Sequence, residues 1–248
     1  VGEFAHEPTE EWCQSHFVRY KALKEVRQLQ SQIAQLVRTN LPAFANFQLP
    51  DKMGPPTPKQ VQALKQFVAA GFIDQVAIRA DKAPNPPPMP RKPHRAIDVP
   101  YIPLIPLEDT GERSTDPEQA LLEKLVYIHP SSPLAHLSVS ECPEYIVYSH
   151  LQRGSNTGAD GEKKAKIRMH ALTDLTGSQL AALARGTPLI SYGKPIKEVK
   201  GSESEDGKTR EVWVIPYLRA ETGGGLGWPL PARKVTQRRV PGKGWVVE

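Results

Sequence analysis

Hydrophobic residues recur along the chain with two periods, and the change of period divides it. From Trp12 to Val37 the residues Phe17, Tyr20, Leu23, Val26, Leu29, Ile33 and Leu36 return every three or four positions, as one face of a helix requires. Thr9 precedes this run as an N-cap, so one long helix with a single buried stripe is expected. Residues 40–56 hold several prolines and a glycine and read as an irregular connection. Thr57 then opens a second helix: Pro58 takes the first helical position, Gln60 completes a capping box, and Gly71 ends it. Its apolar face would be Val61, Leu64, Phe67 and Val68.

From Phe72 the period shortens to two. Phe72–Ile78 alternates as a first strand, and Leu125–Ile128 and Tyr145–Tyr148 are short runs of β-branched and aromatic residues. Pro130, Ser131, Ser132, Pro133 and Pro143 lie between those two runs, which therefore read as strands joined by a long ordered connection. Between Lys166 and Leu172, alternation puts Ile167, Met169 and Ala171 on one face and Lys166, Arg168 and His170 on the other. A sheet with an apolar back and a basic front suits a phosphate backbone.

Other stretches punctuate this pattern. Residues 82–106 are crowded with prolines and carry Arg91, Lys92, His94 and Arg95, so a weakly ordered insertion between the first two strands is expected. Its role would be a solvated loop, a proline-rich docking peptide or a basic contact to RNA. Residues 154–164 form a polar, glycine-containing loop, and residues 177–185 a short helical or strand-like end. Beyond Ser191, Glu211–Tyr217 alternates as a strand, but glycine and proline elsewhere predict little regular structure.

Composition narrows the function. With 39% hydrophobic and 24% charged residues the chain is an ordinary folded protein, long enough for one large domain or two modest ones. No apolar run approaches the roughly 20 residues that span a bilayer, and no signal-peptide pattern opens the chain, so no membrane partner is expected. The first residue is Val1, and a piece of a longer protein is expected. A net charge of +5 permits nucleic-acid binding without requiring it. Cys13 and Cys142 are far apart in sequence, which suits a reducing compartment and argues against a disulfide framework.

Catalytic chemistry finds no anchor. GSESEDGKT carries Ser202 where a phosphate-binding loop needs glycine, and no DEAH or DExD element occurs. His129, His136, Cys142 and His150 lack the close spacing of zinc ligands, and no GxSxG nucleophile elbow is present, so neither a metal site nor a catalytic residue is expected.

The order YIHPSSPL, then a Pro-Glu-aromatic step into EYIVYSHL, then KAKIRMHALTDL, resembles the C-terminal oligonucleotide-binding barrel of DEAH-box RNA helicases. WCQSHFVRYKALKEVRQLQSQI is similar to the helix that closes the ratchet domain of that family, and AAGFIDQVAIR to the entry into its barrel. YGKPI and GWPLPA look like the extension that follows the barrel in the ribosome-biogenesis branch, which releases U3 small nucleolar RNA from pre-18S ribosomal RNA.

The resemblance implies an α+β fold in three parts. Residues 1–70 would be the helical end of a ratchet domain, 71–190 a five-stranded OB-fold barrel with the 82–106 insertion and the 154–164 loop, and 191–248 a mostly irregular or β extension packed on it. The full protein would be an ATP-dependent RNA helicase of the nucleolus, with ATP and Mg in ATPase domains outside this chain and no cofactor within it. Its partners would be pre-rRNA, U3 RNA and small-subunit-processome proteins, a helicase activator among them.

Matching the barrel motif residue by residue places its basic strand positions on Lys166 and His170, with Lys163 and Lys164 in the adjoining loop. His170 departs from the Lys or Arg that relatives usually carry, which weakens a phosphate contact at neutral pH. Arg168 stands where relatives tend to have an aromatic residue, exchanging base stacking for charge. Arg19, Lys21, Lys24 and Arg27 lie off the apolar stripe of the first helix and are either a solvated face or a wall of the RNA path. The rival function is a protein-interaction module, with RNA held by other domains.

Overall fold

The structure is a computed structural model that describes residues 2–50, 52, 54–89, 91–107, 116–154, 165–219 and 226–247. The chain divides into two compact units, Val1–Val61 and Gln62–Glu248.

In the first unit the expected long helix is two helices, α1 (Glu10–Ser15) and α2 (Tyr20–Asn40). Thr9 caps α1, its Oγ1 accepting from the Trp12 amide at 3.1 Å. The break falls at Phe17, whose φ of +54° is a left-handed conformation costly for a non-glycine residue. The turn lets Phe4 bury itself between Trp12 and Tyr20, with ring centroids 5.8 and 5.9 Å away, and that packing offsets the strain. Along α2 only Ala34 is buried. The stripe of Val26, Leu29, Ile33 and Leu36 is exposed, contrary to the buried stripe that the periodicity suggests. Val26, Leu29 and Ile33 line a shallow apolar groove with Phe47 and Leu49.

The second unit begins within α3 (Pro58–Gly71). Its capping box is formed: the Gln60 amide donates to Thr57 Oγ1 at 3.3 Å and the Thr57 amide to Gln60 Oε1 at 2.9 Å. The buried residue of α3 is Ala69, while Val61, Leu64, Phe67 and Val68 are exposed, a correction to the expected apolar face.

Five strands then close a barrel: β1 (Val76–Arg79), β2 (Pro100–Pro103), β3 (Val126–Ile128), β4 (Tyr145–Arg153) and β5 (Ile167–Leu175). Their order is β1-β2-β3-β5-β4. All pairs are antiparallel except β3 with β5. A helix, α4 (Pro117–Glu123), precedes β3, and α5 (Gly177–Leu183) follows β5, capped by Thr176 and Gln179. The interior is filled by alternate residues from every strand: Ala77, Tyr101, Val126, Ile128, Ile146, Tyr148, Ile167 and Met169.

The proline-dense segment is therefore not a loop throughout. Residues 100–103 are β2, and Ala96, Val99, Tyr101, Ile102 and Leu104 are buried, so the expected 82–106 insertion ends before Ala96. Pro100 and Pro103 stand at the two ends of the strand, where a missing amide donor costs least.

The outer side of the barrel carries a second core. Val76, Ile78, Leu104 and Val147 meet Leu180 of α5 and Leu218, Trp228 and Leu230 of the extension. The extension is more regular than its glycines and prolines suggest. It contains β6 (Ile190–Tyr192), β7 (Lys197–Glu198), β8 (Thr209–Val214), β9 (Pro216–Arg219), β10 (Gly227–Pro229), β11 (Arg233–Val240) and β12 (Gly244–Val247). They form two sheets, β10-β9-β6 and β12-β11-β8-β7. Gly242 and Gly244, at φ +78° and +74°, turn β11 into β12, so glycines with the composition of a break are hairpin turns.

Candidate nucleic-acid interface

Strand β5 lies between β3 and β4, and its alternation orients the site. Ile167 and Met169 enter the barrel, so Lys166, Arg168 and His170 stand on the opposite face. Register adds neighbours to them. Tyr127 of β3 and Gln152 of β4 both pair with Arg168. His129 follows β3 and donates its amide to Met169 O at 3.0 Å, which sets it beside His170. The β4 register slips between Tyr148 and Leu151, and His150 arrives on the other flank of His170.

Lys166 is exposed, its Nζ 3.1 Å from Asp98 Oδ1 and 4.5 Å from the centre of the Tyr127 ring. Arg95 binds the same carboxylate at 3.1 Å. Burial works to raise the Asp98 pKa, but the hydrogen bonds from Lys166 and Arg95 prevail and hold it below its ordinary value.

Arg168 has a different task. Its Nη1 donates to Ile97 O at 2.7 Å and to Ile128 O at 3.2 Å, tying the turn before β2 to the end of β3. Burial lowers its pKa. The guanidinium is a structural clamp beneath the front as much as a charge upon it.

His170 is the middle ring of three. Its centroid is 4.2 Å from that of His129 and 4.1 Å from that of His150, with interplanar angles of 24° and 14°. His170 Nε2 also lies 2.9 Å from Gln152 Oε1. Burial first, then the neighbouring His129 and His150, holds the His170 pKa below its usual value, so the central ring is neutral at pH 7. Imidazoles stacked face to face do not aim their nitrogens at a common point. Among the described residues no group of three His, Cys, Asp or Glu side chains could hold a metal ion.

The structure thus brings Lys166, Arg168 and His170 together. Lys163 and Lys164 lie outside the described residues. Arg19, the residue before α2, and Lys21, Lys24 and Arg27 on it belong to the first unit, where Lys21 lies 4.0 Å from Glu25. Tyr127, His129, His150 and Gln152 join the front although the sequence pattern alone does not single them out. The signal that could find them is the alternation of β3 and β4, continued two residues past each run. The Gly207–Thr209 segment lies at the turn into β8, where Gly207 has a φ of +63°, and is no strand-to-helix phosphate loop. Among the described residues no helix is long and apolar enough to cross a membrane.

Residues 64–187, from within α3 to just past α5, match the oligonucleotide/oligosaccharide-binding (OB)-fold family. The chain belongs to that OB-fold family. The chain is also similar to a putative ATP-dependent RNA helicase of Schizosaccharomyces pombe, 29% identical over 236 residues, covering 95% of this chain and 16% of the relative. It is 30% identical over 255 residues to the probable ATP-dependent RNA helicase DHR1 of Saccharomyces cerevisiae, covering 97% of this chain and 18% of that protein. A third relative is the probable ATP-dependent RNA helicase DHX37 of Homo sapiens, 28% identical over 227 residues, covering 92% and 16%. The chain spans less than a fifth of the length of these relatives. The OB-fold match and the helicase relatives together fit the C-terminal part of a DEAH-box helicase.

Proposed function

We propose that this chain is the RNA-contacting C-terminal region of an ATP-dependent RNA helicase in small-subunit ribosome biogenesis, acting in the nucleolus on U3 small nucleolar RNA paired with pre-rRNA. One observation carries the reading. Helicase relatives match 95% and 97% of the chain, extension included, whereas the OB-fold match stops at residue 187. The barrel front offers the chemistry that a single strand needs. Lys166 supplies a phosphate contact with Lys163 and Lys164 beside it in sequence, and the outer imidazoles of the stack, His129 and His150, supply ring surface for bases while His170 between them holds the two in place. Arg168 holds the turn on which Asp98 and Lys166 meet. ATP and Mg belong to ATPase domains of the full-length protein, and the chain itself contributes binding and regulation. Ultraviolet crosslinking of the full-length protein in cells, followed by sequencing, should enrich U3 and its pairing sites in pre-rRNA through peptides of this region. Enrichment of spliceosomal RNAs instead would contradict the assignment.

One observation favours a second reading, in which the barrel docks a processome protein. Residues 71–190 hold thirteen Lys and Arg against fourteen Asp and Glu, so the barrel as a whole is not basic. Crosslinks of this region to protein alone would support that reading.

A further inference from the structure

We infer that the outer face of the β12-β11-β8-β7 sheet is a separate contact for single-stranded nucleic acid, with Trp213 as the stacking ring and Lys197 and Lys234 as phosphate contacts. In this sheet Trp213 of β8 pairs directly with Lys197 of β7 and with Lys234 of β11. Directly paired residues share a face, so Trp213 stands between two lysines carried by neighbouring strands, each strand about 4.8 Å from its own. Val212 and Val214 are fully buried on the other face, which leaves Trp213 pointing outward, 41% exposed. Thr209, Thr236 and Arg238 continue the same face, by alternation along β8 and β11.

Charge selects the occupant. Residues 191–248 carry eleven Lys and Arg against seven Asp and Glu, so most of the chain's net charge of +5 resides in the extension. Among the described residues Glu211 is the acidic side chain on this face, and it binds Lys234 at 2.9 Å. Lys197 and Lys234 against that one carboxylate leave the face around Trp213 positive. An exposed indole between cations matches a chain that alternates flat rings with phosphates, because stacking accepts any base and the ammonium groups follow the backbone. This surface is distinct from the barrel front, and the two stand or fall separately.

The test is binding of labelled oligouridine RNA by the 248-residue chain, with salt titrations and melting curves. Trp213→Ala should weaken binding about five-fold or more, while Trp213→Phe should keep most of the affinity. Lys197→Ala with Lys234→Ala should make the salt dependence shallower by about 0.7 for each phosphate that the variant no longer neutralises. Oligouridine should quench tryptophan fluorescence in the wild type, and Trp213→Phe should remove that quenching. The last readout decides the matter if Trp213→Ala melts early. Wild-type affinity, slope and quenching in all these variants would overturn the inference and leave Trp213 as a protein-docking residue. Lys166→Ala, run alongside, reads the barrel front independently. Absence of RNA binding by the wild type would overturn both.

Discussion

His150 and His170 stack face to face, ring centroids 4.1 Å apart and planes within 14°, where β4 slips its register against β5. With His129 on the far side of His170, this makes a ladder of three imidazoles in which the middle ring resists protonation, through burial and through both neighbours. Above the ordinary value of 6.5 folded and unfolded chains both hold His170 neutral, and its contribution to stability is intact. As pH falls from 6.5 through the lower native pKa, the unfolded chain takes the proton first and the native state loses stability. Imidazole NMR titration should find His170 below 6.5, and His150→Ala should raise it. A native value at or above 6.5, or one unmoved by His150→Ala, would contradict the ladder.

Lys166 and Arg168 share one strand face but should respond differently to removal. Arg168→Ala strips a donor from the part-buried carbonyls of Ile97 and Ile128, and should destabilise the fold by about 1–3 kcal/mol. Lys166→Ala removes a partly exposed ion pair and should stay within about 0.5 kcal/mol. Urea denaturation of the two variants separates clamp from contact. Equal effects would show that Arg168 is only a surface charge.

The extension should be bonded to the barrel through Trp228. This side chain is buried against Tyr145, ring centroids 6.5 Å apart, in the core shared with Leu180 and Leu218. Trp228→Ala should cost about 3–5 kcal/mol. Among the described residues its Nε1 finds no hydrogen-bond partner, so Trp228→Phe should cost much less. Next to it, a Cβ on Gly227 would fall 2.7 Å from Leu218 O, and Gly227→Ala should cost about 1–3 kcal/mol by overpacking. Melting curves in which Trp228→Ala matches the wild type would mean that the extension is not part of the barrel's core.

Proteolysis should find the boundary inside the proline-dense segment. Arg91 is exposed, whereas Tyr101 is fully buried in β2. Trypsin should therefore cut after Arg91 early, while chymotrypsin spares Tyr101 until the barrel unfolds. Early cleavage at Tyr101 would contradict its place in the barrel.

These sites differ in how far the sequence discloses them. The two faces of β5 are legible because alternation is a local rule that puts Ile167 and Met169 on one side of the strand and Lys166, Arg168 and His170 on the other. Thr57 and Gln60 announce the start of α3 for the same reason. The strand at Pro100–Pro103 is hidden, since prolines at its ends carry the composition of a loop while Tyr101 and Ile102 between them are core. Nothing near Phe17 in sequence marks a helix break, which depends on the burial of Phe4. The histidine ladder joins residues 129, 150 and 170, which only the β3–β5 pairing and the β4 register shift bring together.

The central claim is that the chain contacts RNA through a basic barrel front. Its most direct measurement is the affinity for single-stranded oligouridine, followed by fluorescence anisotropy as salt is raised, for the wild-type chain and for Lys166→Ala. Binding should be measurable at low salt and weaken linearly in log affinity against log salt, with a slope shallower by about 0.7 in the variant. No binding by the wild type at low salt, or identical affinity and slope in the two proteins, would contradict it.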